Sequence, residues 1–329
     1  MLKFFIAPTI VSVIALALVG WWGGLAAFLL AAMLAVLEVT LSFDNAVVNA
    51  KVLKEMSEKW QRRFLTWGIL LSVVGTRLVL PIIIVSIVAF MSPFAITMLA
   101  FVDPAEYTRL LLGADASIKA FGGAFLLMVA LKFFVDAGKT VHWIAVIEKR
   151  VAKWGSIEAI EAAVVMLVLV VLSFFSHDSA ATILRSGIVG IILFTTTEGV
   201  ANGLNIESKH VVRSGGVLFV YLNVLDSAFS LDGVIGAFAL TTSLPIIVVG
   251  LGIGAYFVRA MTVYLVRAKT LDTLIYLEHG AHWAILGLAG AMFAGLIVHV
   301  PEMFTAFIGV AFIFFSYYSS RREIKAQKA

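Results

Sequence analysis

The sequence predicts an all-α fold, a polytopic membrane bundle of about ten transmembrane helices arranged as two inverted-topology repeats. Three observations predict it. Of 329 residues, 62% are hydrophobic and only 13% charged; apolar runs of spanning length recur along the chain; and an acidic motif in the middle of one run returns in another. A soluble chain of this length cannot bury so much apolar surface in one core, so most of it is expected to face lipid. A single membrane domain over 1–329 is expected, with a first repeat in 1–175 and a second in 186–319.

Crossing the hydrocarbon takes about 20 apolar residues. Ten runs qualify: 4–22, 24–50, 64–91, 118–137, 157–175, 186–204, 215–241, 244–266, 274–298 and 302–319. Met1–Lys3 followed by Phe4–Val19 has the layout of a signal peptide, but the run ends in Trp21 and Trp22, which favour the bilayer interface, so a retained first span is expected. Phe94–Phe101 is too short to cross, and Asp103–Lys119 is expected to be a polar external loop.

Charge then orients the spans. With the amino terminus in the cytoplasm, eighteen Lys and Arg residues fall on that side, from Lys3 through Lys51, Lys54, Arg62, Arg63, Lys149 and Arg150 to Lys328; three (Arg109, Lys119, Arg185) fall on the other. This bias predicts both termini in the cytoplasm of a prokaryotic cell, with the chain in its cytoplasmic membrane. Because the basic residues sit in short loops between apolar runs, the net charge of +4 is a topology signal and points to no nucleic acid. Arg77, Lys132 and Arg259 remain inside spans, where a charge costs on the order of 3 kcal/mol at the bilayer centre and marks a pairing or functional position. Lys132 is near enough to a helix end to reach the interface.

Leu37-Glu38-Val39-Thr40-Leu41-Ser42-Phe43-Asp44-Asn45 aligns without gaps on Leu225-Asp226-Ser227-Ala228-Phe229-Ser230-Leu231-Asp232-Gly233. The first motif thus occupies 38–45 and the second 226–233, and Glu38, Ser42 and Asp44 correspond to Asp226, Ser230 and Asp232. In the span after each motif a glycine precedes an arginine by nine residues: Gly68 and Arg77, then Gly250 and Arg259. The two motif helices run in opposite directions in the topology above, as an inverted repeat requires, and such repeats put a substrate site near the midplane.

Four carboxylates at that depth, Glu38, Asp44, Asp226 and Asp232, need a partner, because an isolated one in hydrocarbon takes up a proton rather than stay charged. A divalent metal ion is the natural partner. With no cysteine in the chain, ligands are limited to oxygen and imidazole, a donor set suited to manganese, calcium or magnesium. Ser42, Ser230 and Asn45 are supporting candidates, with Asn49 and Asn223 further amide donors, and Arg77 and Arg259 are counter-charges for the empty site. Asp44 follows Glu38 by six residues, about 9 Å along an ideal helix and some 120° around it. Aiming both at one point requires unwinding near Ser42–Asn45, and likewise near Ser230–Gly233. The alternative to a metal site is a pair of buried ion pairs, acids with Arg77 and Arg259, that fix helix register.

Glu198 and Asn202, four apart in the sixth span, are weaker candidates for the same cavity. His279 and His282 lie at a span end, where polar residues are ordinary; Glu158 and Glu161 sit at a helix start, where acids favour the dipole. No HExxH, GxSxG or phosphate-binding glycine loop is present, and nothing pairs a nucleophile with a base, so no enzyme and no resident cofactor is expected.

Glu38 to Asn45 and Leu225 to Asp232 resemble the two acidic motifs of the TerC family of bacterial membrane proteins, within the lysine-exporter-like group. The resemblance implies manganese efflux, or supply of manganese to exported metalloenzymes, with Glu38, Asp44, Asp226 and Asp232 as the carried-over acids. Gly233-Val234 departs from the ending the family shows after its second motif, which makes this a divergent branch. The expected function is a secondary transporter that exports a divalent cation, manganese first, in exchange for protons. A membrane scaffold without a transport cycle, or an exporter of calcium or a small organic cation lined by Phe43 and Phe229, are the alternatives.

Overall fold

The computed structural model describes residues 4–203, 215–268 and 270–328, which are helical almost throughout with no strand among them. The chain runs through α1 (Ile6–Leu41), α2 (Phe43–Lys54), α3 (Glu58–Leu70), a π-helical segment (Leu71–Val79), α4 (Leu80–Val88), α5 (Pro93–Val102), α6 (Pro104–Gly113) and α7 (Asp115–Phe134). It continues through α8 (Ala145–Ala152), α9 (Ile160–Phe175), α10 (Ala180–Gly203), α11 (Gly215–Leu240), α12 (Leu244–Arg267), the single turn α13 (Thr270–Thr273), α14 (Leu277–Ala294) and α15 (Glu302–Lys328).

Each of the ten apolar runs centres on a helix. Among the described residues, five helices are long and apolar enough to cross a membrane: Ile6–Leu41, Leu71–Val88, Asp115–Val135, Ala180–Val200 and Leu244–Arg267. The pair Ala145–Ser156 and Ile160–Phe175, bent by 108°, adds a sixth if it counts as one span. Large apolar side chains cover the outside, among them Trp21, Trp22, Leu25 and Phe90, as a lipid-facing surface requires.

Local chemistry explains where the helices start, bend and stop. The first two runs are fused into α1 and separated only by a kink at Gly24, whose φ of 74° is open to glycine at little cost. Asp103–Lys119, expected as an external loop, is instead helical: Asp103 caps α6 by accepting from the Glu106 amide at 3.1 Å, and Tyr107 and Leu111, one turn apart, are buried. A helix with a capped start and one apolar stripe was legible there, and its polar residues hid it. The π segment follows from Pro81, which has no amide hydrogen to offer the Arg77 carbonyl, so the α ladder cannot be kept through this turn. The Leu80 amide bonds instead to Gly75 O, five residues back.

Three buried apolar clusters are found among the described residues: one joins α2, α7, α9, α10, α11, α12, α14 and α15, a second joins α1, α4, α5, α6, α7, α11 and α12, and a small third joins α2, α3, α11 and α12. Helix α11 contributes to all three, and the polar site lies where α1, α2, the π segment, α11 and α12 meet.

A buried carboxylate ties the loop helix α8 to the bundle. Glu148 has no exposure and accepts hydrogen bonds from His279 Nδ1 (2.8 Å), Trp283 Nε1 (3.0 Å) and the amides of Trp143 (3.3 Å) and Ile144 (3.2 Å), with Lys139 Nζ 3.3 Å away. Burial raises the pKa of this group, but the hydrogen bonds from His279, Trp283 and Ile144 outweigh it and hold the carboxyl at about 2, below the ordinary 4.5. The contribution is therefore complete above about pH 4.5 and is lost as pH falls towards 2. Glu148→Ala, which leaves the His279 and Trp283 donors unpaired, should cost about 3 kcal/mol, read as a lower thermal midpoint of the purified protein at pH 7. The difference from wild type should shrink on acidification through that window.

Candidate functional site

The site begins where α1 stops. Ser42, with φ −101° and ψ 16°, leaves the helical region, although its amide still bonds Glu38 O at 2.9 Å. This one-residue break is where unwinding was expected, and it gives α2 a start of its own with Asp44 in the first turn, where the helix dipole favours an acid. The second expected break is absent: α11 runs on through Ser230–Gly233. Gly233 permits unwinding but does not compel it, and no residue in that stretch lacks an amide hydrogen.

Glu38 is 1% exposed. Its Oε1 accepts from Ser42 Oγ at 3.0 Å and is paired with Arg77 Nη2. Arg77 is seated by the π segment itself: Nη1 donates to Ser72 O (2.6 Å), Ser72 Oγ (2.8 Å) and Thr76 Oγ1 (3.1 Å). Ser72 and Thr76 were missed in the sequence. Their signal was a serine, a threonine and an arginine within six residues of an otherwise apolar span.

On the facing side Asp226, 5% exposed, accepts from Asn45 Nδ2 at 2.8 Å through Oδ1. Arg259 Nη2 stands 3.8 Å from Asp226 Oδ2, too far for a hydrogen bond, while its Nη1 donates to Phe64 O at 2.7 Å and the guanidinium lies 3.9 Å over the Phe64 ring. The two ion pairs expected as the alternative to a metal site are thus both present, one joining Glu38 on α1 to Arg77 on the π segment and the other joining Asp226 on α11 to Arg259 on α12.

Hydrogen bonding at the centre is incomplete, with the donor Arg77 Nε unpaired as well as several oxygens. Four buried oxygens, Asn45 Oδ1, Asn49 Oδ1, Asp226 Oδ2 and Ser230 Oγ, have no hydrogen-bond partner among the described residues. They stand on facing turns of α2 and α11. Glu38, Ser42, Asn49, Arg77, Asp226 and Arg259 line one cavity of about 10 Å³, room for roughly a single water-sized sphere. Among the described residues its only aromatic wall is Phe64; Phe43 and Phe229 belong to the neighbouring apolar cluster.

The two motifs also touch reciprocally. The eighth residue of the first, Asn45, bonds the first residue of the second, Asp226; the eighth residue of the second, Gly233, lies against the first residue of the first, since a Cβ at Gly233 would stand 3.2 Å from Glu38 Oε2.

The remaining candidates fall elsewhere. Asp44 is buried, with Oδ1 accepting from the Asn45 amide at 2.9 Å, and forms no ion pair among the described residues; it does not line the cavity. The side chains of Asp232 and Asn202 lie outside the described residues. Among described residues no three Asp, Glu or His side chains converge tightly enough to chelate a metal. Glu198, expected to line the midplane cavity, instead faces a separate one and pairs with Lys132 at 3.2 Å, because it sits on the last turns of α10, beyond the depth of the motifs. Asn223 donates to Phe219 O at 2.6 Å and is not part of the lining. His279 and His282, expected as ordinary interfacial residues, are both buried, His279 against Glu148.

Glycines on α12 let Glu38 into this position. A Cβ at Gly250 would meet Leu34 Cβ at 2.6 Å and Ala31 O at 2.9 Å; one at Gly254 would meet Ala35 O at 3.0 Å and the Glu38 stem closer still. Spaced four apart, they form the small-residue seam by which membrane helices approach. Gly254→Ala should push Glu38 out of line and cost about 2 kcal/mol in thermal stability, whereas Gly290→Ala, with nothing within 4 Å, should leave the midpoint unchanged or raise it.

A family model described as "Protein of unknown function (DUF475)" matches residues 43–327. No curated protein and no solved structure matches the chain.

Proposed function

The chain belongs to the DUF475 family, whose model covers most of it, and on that premise we propose that it is a secondary transporter exporting a divalent metal cation, manganese first, from the cytoplasm of a prokaryote across the cytoplasmic membrane in exchange for protons. The observation that carries this reading is the set of four buried oxygens without donors among the described residues, Asn45 Oδ1, Asn49 Oδ1, Asp226 Oδ2 and Ser230 Oγ. Buried acceptors left unpaired are costly, and a cluster of oxygens beside carboxylates suits a hard cation. The likeness of 38–45 and 225–232 to the TerC motifs favours manganese among such ions.

The ten-span topology, with halves 1–175 and 186–319 inverted and both termini cytoplasmic, belongs to the same proposal. It is supported by the reciprocal contact of the motifs, first residue to eighth in both directions, which is how two copies related by a two-fold axis meet. In the cycle, Arg77 and Arg259 act as built-in counter-ions. Each neutralises its acid while no metal is bound and gives it up when a divalent ion arrives. Two carboxylates balance that ion. A buried acid without a basic partner among the described residues, such as Asp44, is balanced by a proton on the return.

Transport into proteoliposomes, tested with Mn²⁺, Ca²⁺, Mg²⁺ and Zn²⁺ with and without a pH gradient, measures this directly. Wild type should move Mn²⁺ and accelerate under a proton gradient. Asp44→Asn, Asp226→Asn and Asp232→Asn should each lower the rate by at least about a hundredfold while the protein still elutes as a folded species, since the first removes the acid that takes the returning proton and the other two remove charge made for the bound ion. Wild-type rates in Asp44→Asn and Asp232→Asn would end the metal-site assignment.

A further inference from the structure

A cavity of about 540 Å³ opens between α2, α7, α9, α10, α11 and α14. Its charged lining is Lys51, Lys132, Glu55, Asp136, Glu161 and Glu198, two cations against four acids. Lys51 is also paired with Glu278, which is not part of the lining. At the centre of this arrangement one ammonium serves two carboxylates: Lys132 Nζ stands 3.2 Å from Glu198 Oε1 and 3.8 Å from Glu161 Oε1.

A second, independent feature faces the same space. His282 lines the cavity yet is only 5% exposed. Its ring is stacked on Phe133 at 3.8 Å with planes 9° apart, and Nδ1 lies 2.9 Å from Glu278 O. A carbonyl only accepts, so Nδ1 carries the hydrogen, and the neutral ring presents a lone pair at Nε2. Nε2 has no hydrogen-bond partner among the described residues. Held in place by stacking, the ring offers this nitrogen to the cavity, where whatever fills the space can donate to it.

We infer that this cavity is a recruitment site for a hydrated divalent cation, held through its water shell by Glu161, Glu198 and His282, with Lys132 as an internal competitor for the same two carboxylates. Water-mediated binding fits both what is present and what is not. No three acids or histidines converge there to chelate a bare ion among the described residues. Six waters occupy roughly 180 Å³, which 540 Å³ accommodates and the 10 Å³ chamber at the motifs does not. Metal-bound waters are donors, and two carboxylates and an imidazole lone pair are acceptors. Both chambers draw on the same two helices: Val48 lines the outer and Asn49 the inner on α2, and Tyr221 the outer and Asp226 the inner on α11. The inference rests on the transport reading for the class of ion, while the binding it describes stands apart from any transport cycle.

The test is equilibrium dialysis of Mn²⁺ against the purified full-length protein in an Asp226→Asn background, which removes the inner site. That parent should retain one weak Mn²⁺ site. Adding Glu161→Gln and Glu198→Gln should weaken it by about tenfold or more, whereas Lys132→Gln should tighten it several-fold and Lys132→Arg should leave it near the parent value. Size-exclusion profiles identify any variant that has unfolded, and the single Glu198→Gln replaces the double variant in that event, with a smaller loss in the same direction. Binding unchanged by loss of the acids, or Lys132→Gln weakening it as much as their loss does, would overturn the inference and leave the lysine as a structural tie. If wild type fails to transport while this pattern holds, the transport reading falls and the recruitment site stands; if wild type transports but the parent binds no Mn²⁺ here, the recruitment site falls and the transport reading stands.

Discussion

The cost of holding carboxylates inside an apolar bundle governs how this molecule is built. Glu38 and Asp226 sit where a bare charge is expensive, and the surrounding structure answers each with a guanidinium brought from another helix. Seating those guanidiniums takes further polar atoms: Ser72, Thr76 and their backbone for Arg77, the Phe64 carbonyl and ring for Arg259. The neutralisation is uneven. Glu38 is enclosed by hydrogen bonds, whereas Asp226 keeps one oxygen unpaired beside the orphaned oxygens of Asn45, Asn49 and Ser230. A bundle selected only for a tight register would gain from pairing or removing those four atoms. Two of them, on Asn49 and Asp226, belong to residues that line the central chamber.

Much of this was written in the sequence, and what escaped had physical reasons. Hydropathy marked apolar helices because lipid exposure requires uninterrupted apolar runs, and the gapless match of 38–45 with 226–233 picked out two stretches that touch, through Asn45 and Asp226. The pairing of Glu38 with Arg77 followed from the same logic of cost. The amphipathic helix α6 was hidden because its polar face was read as loop, although Asp103 and the Tyr107–Leu111 spacing marked its start and its buried stripe. The contact of Glu148 with His279 and Trp283 joins residues more than a hundred positions apart, and no local pattern encodes such a meeting. Glu198 shared a composition with the midplane acids but not their depth, and periodicity cannot separate two polar chambers on one bundle.

The two cavities differ by more than size. The inner is closed by arginines whose charge is fixed under all ordinary conditions, so its counter-ions can leave only by moving. The outer is lined by a lysine on a long, half-exposed stem, free to exchange its carboxylates for other company without rearranging a helix. Compensation is thus fixed in charge at the centre and loose at the rim.

The π segment gives the inner arginine a means of movement. A π turn carries one residue more than an α turn, so it holds slack that can migrate along the helix while most backbone bonds are remade as they are lost. Passing that surplus residue beyond Arg77 would rotate its bearing by about 100°. The guanidinium would then swing away from Glu38 with no need to displace α12 or to break the glycine seam that anchors α1. Flexibility of this kind is confined to one strip of one helix, and the rest of the scaffold can stay rigid while its central charge is uncovered.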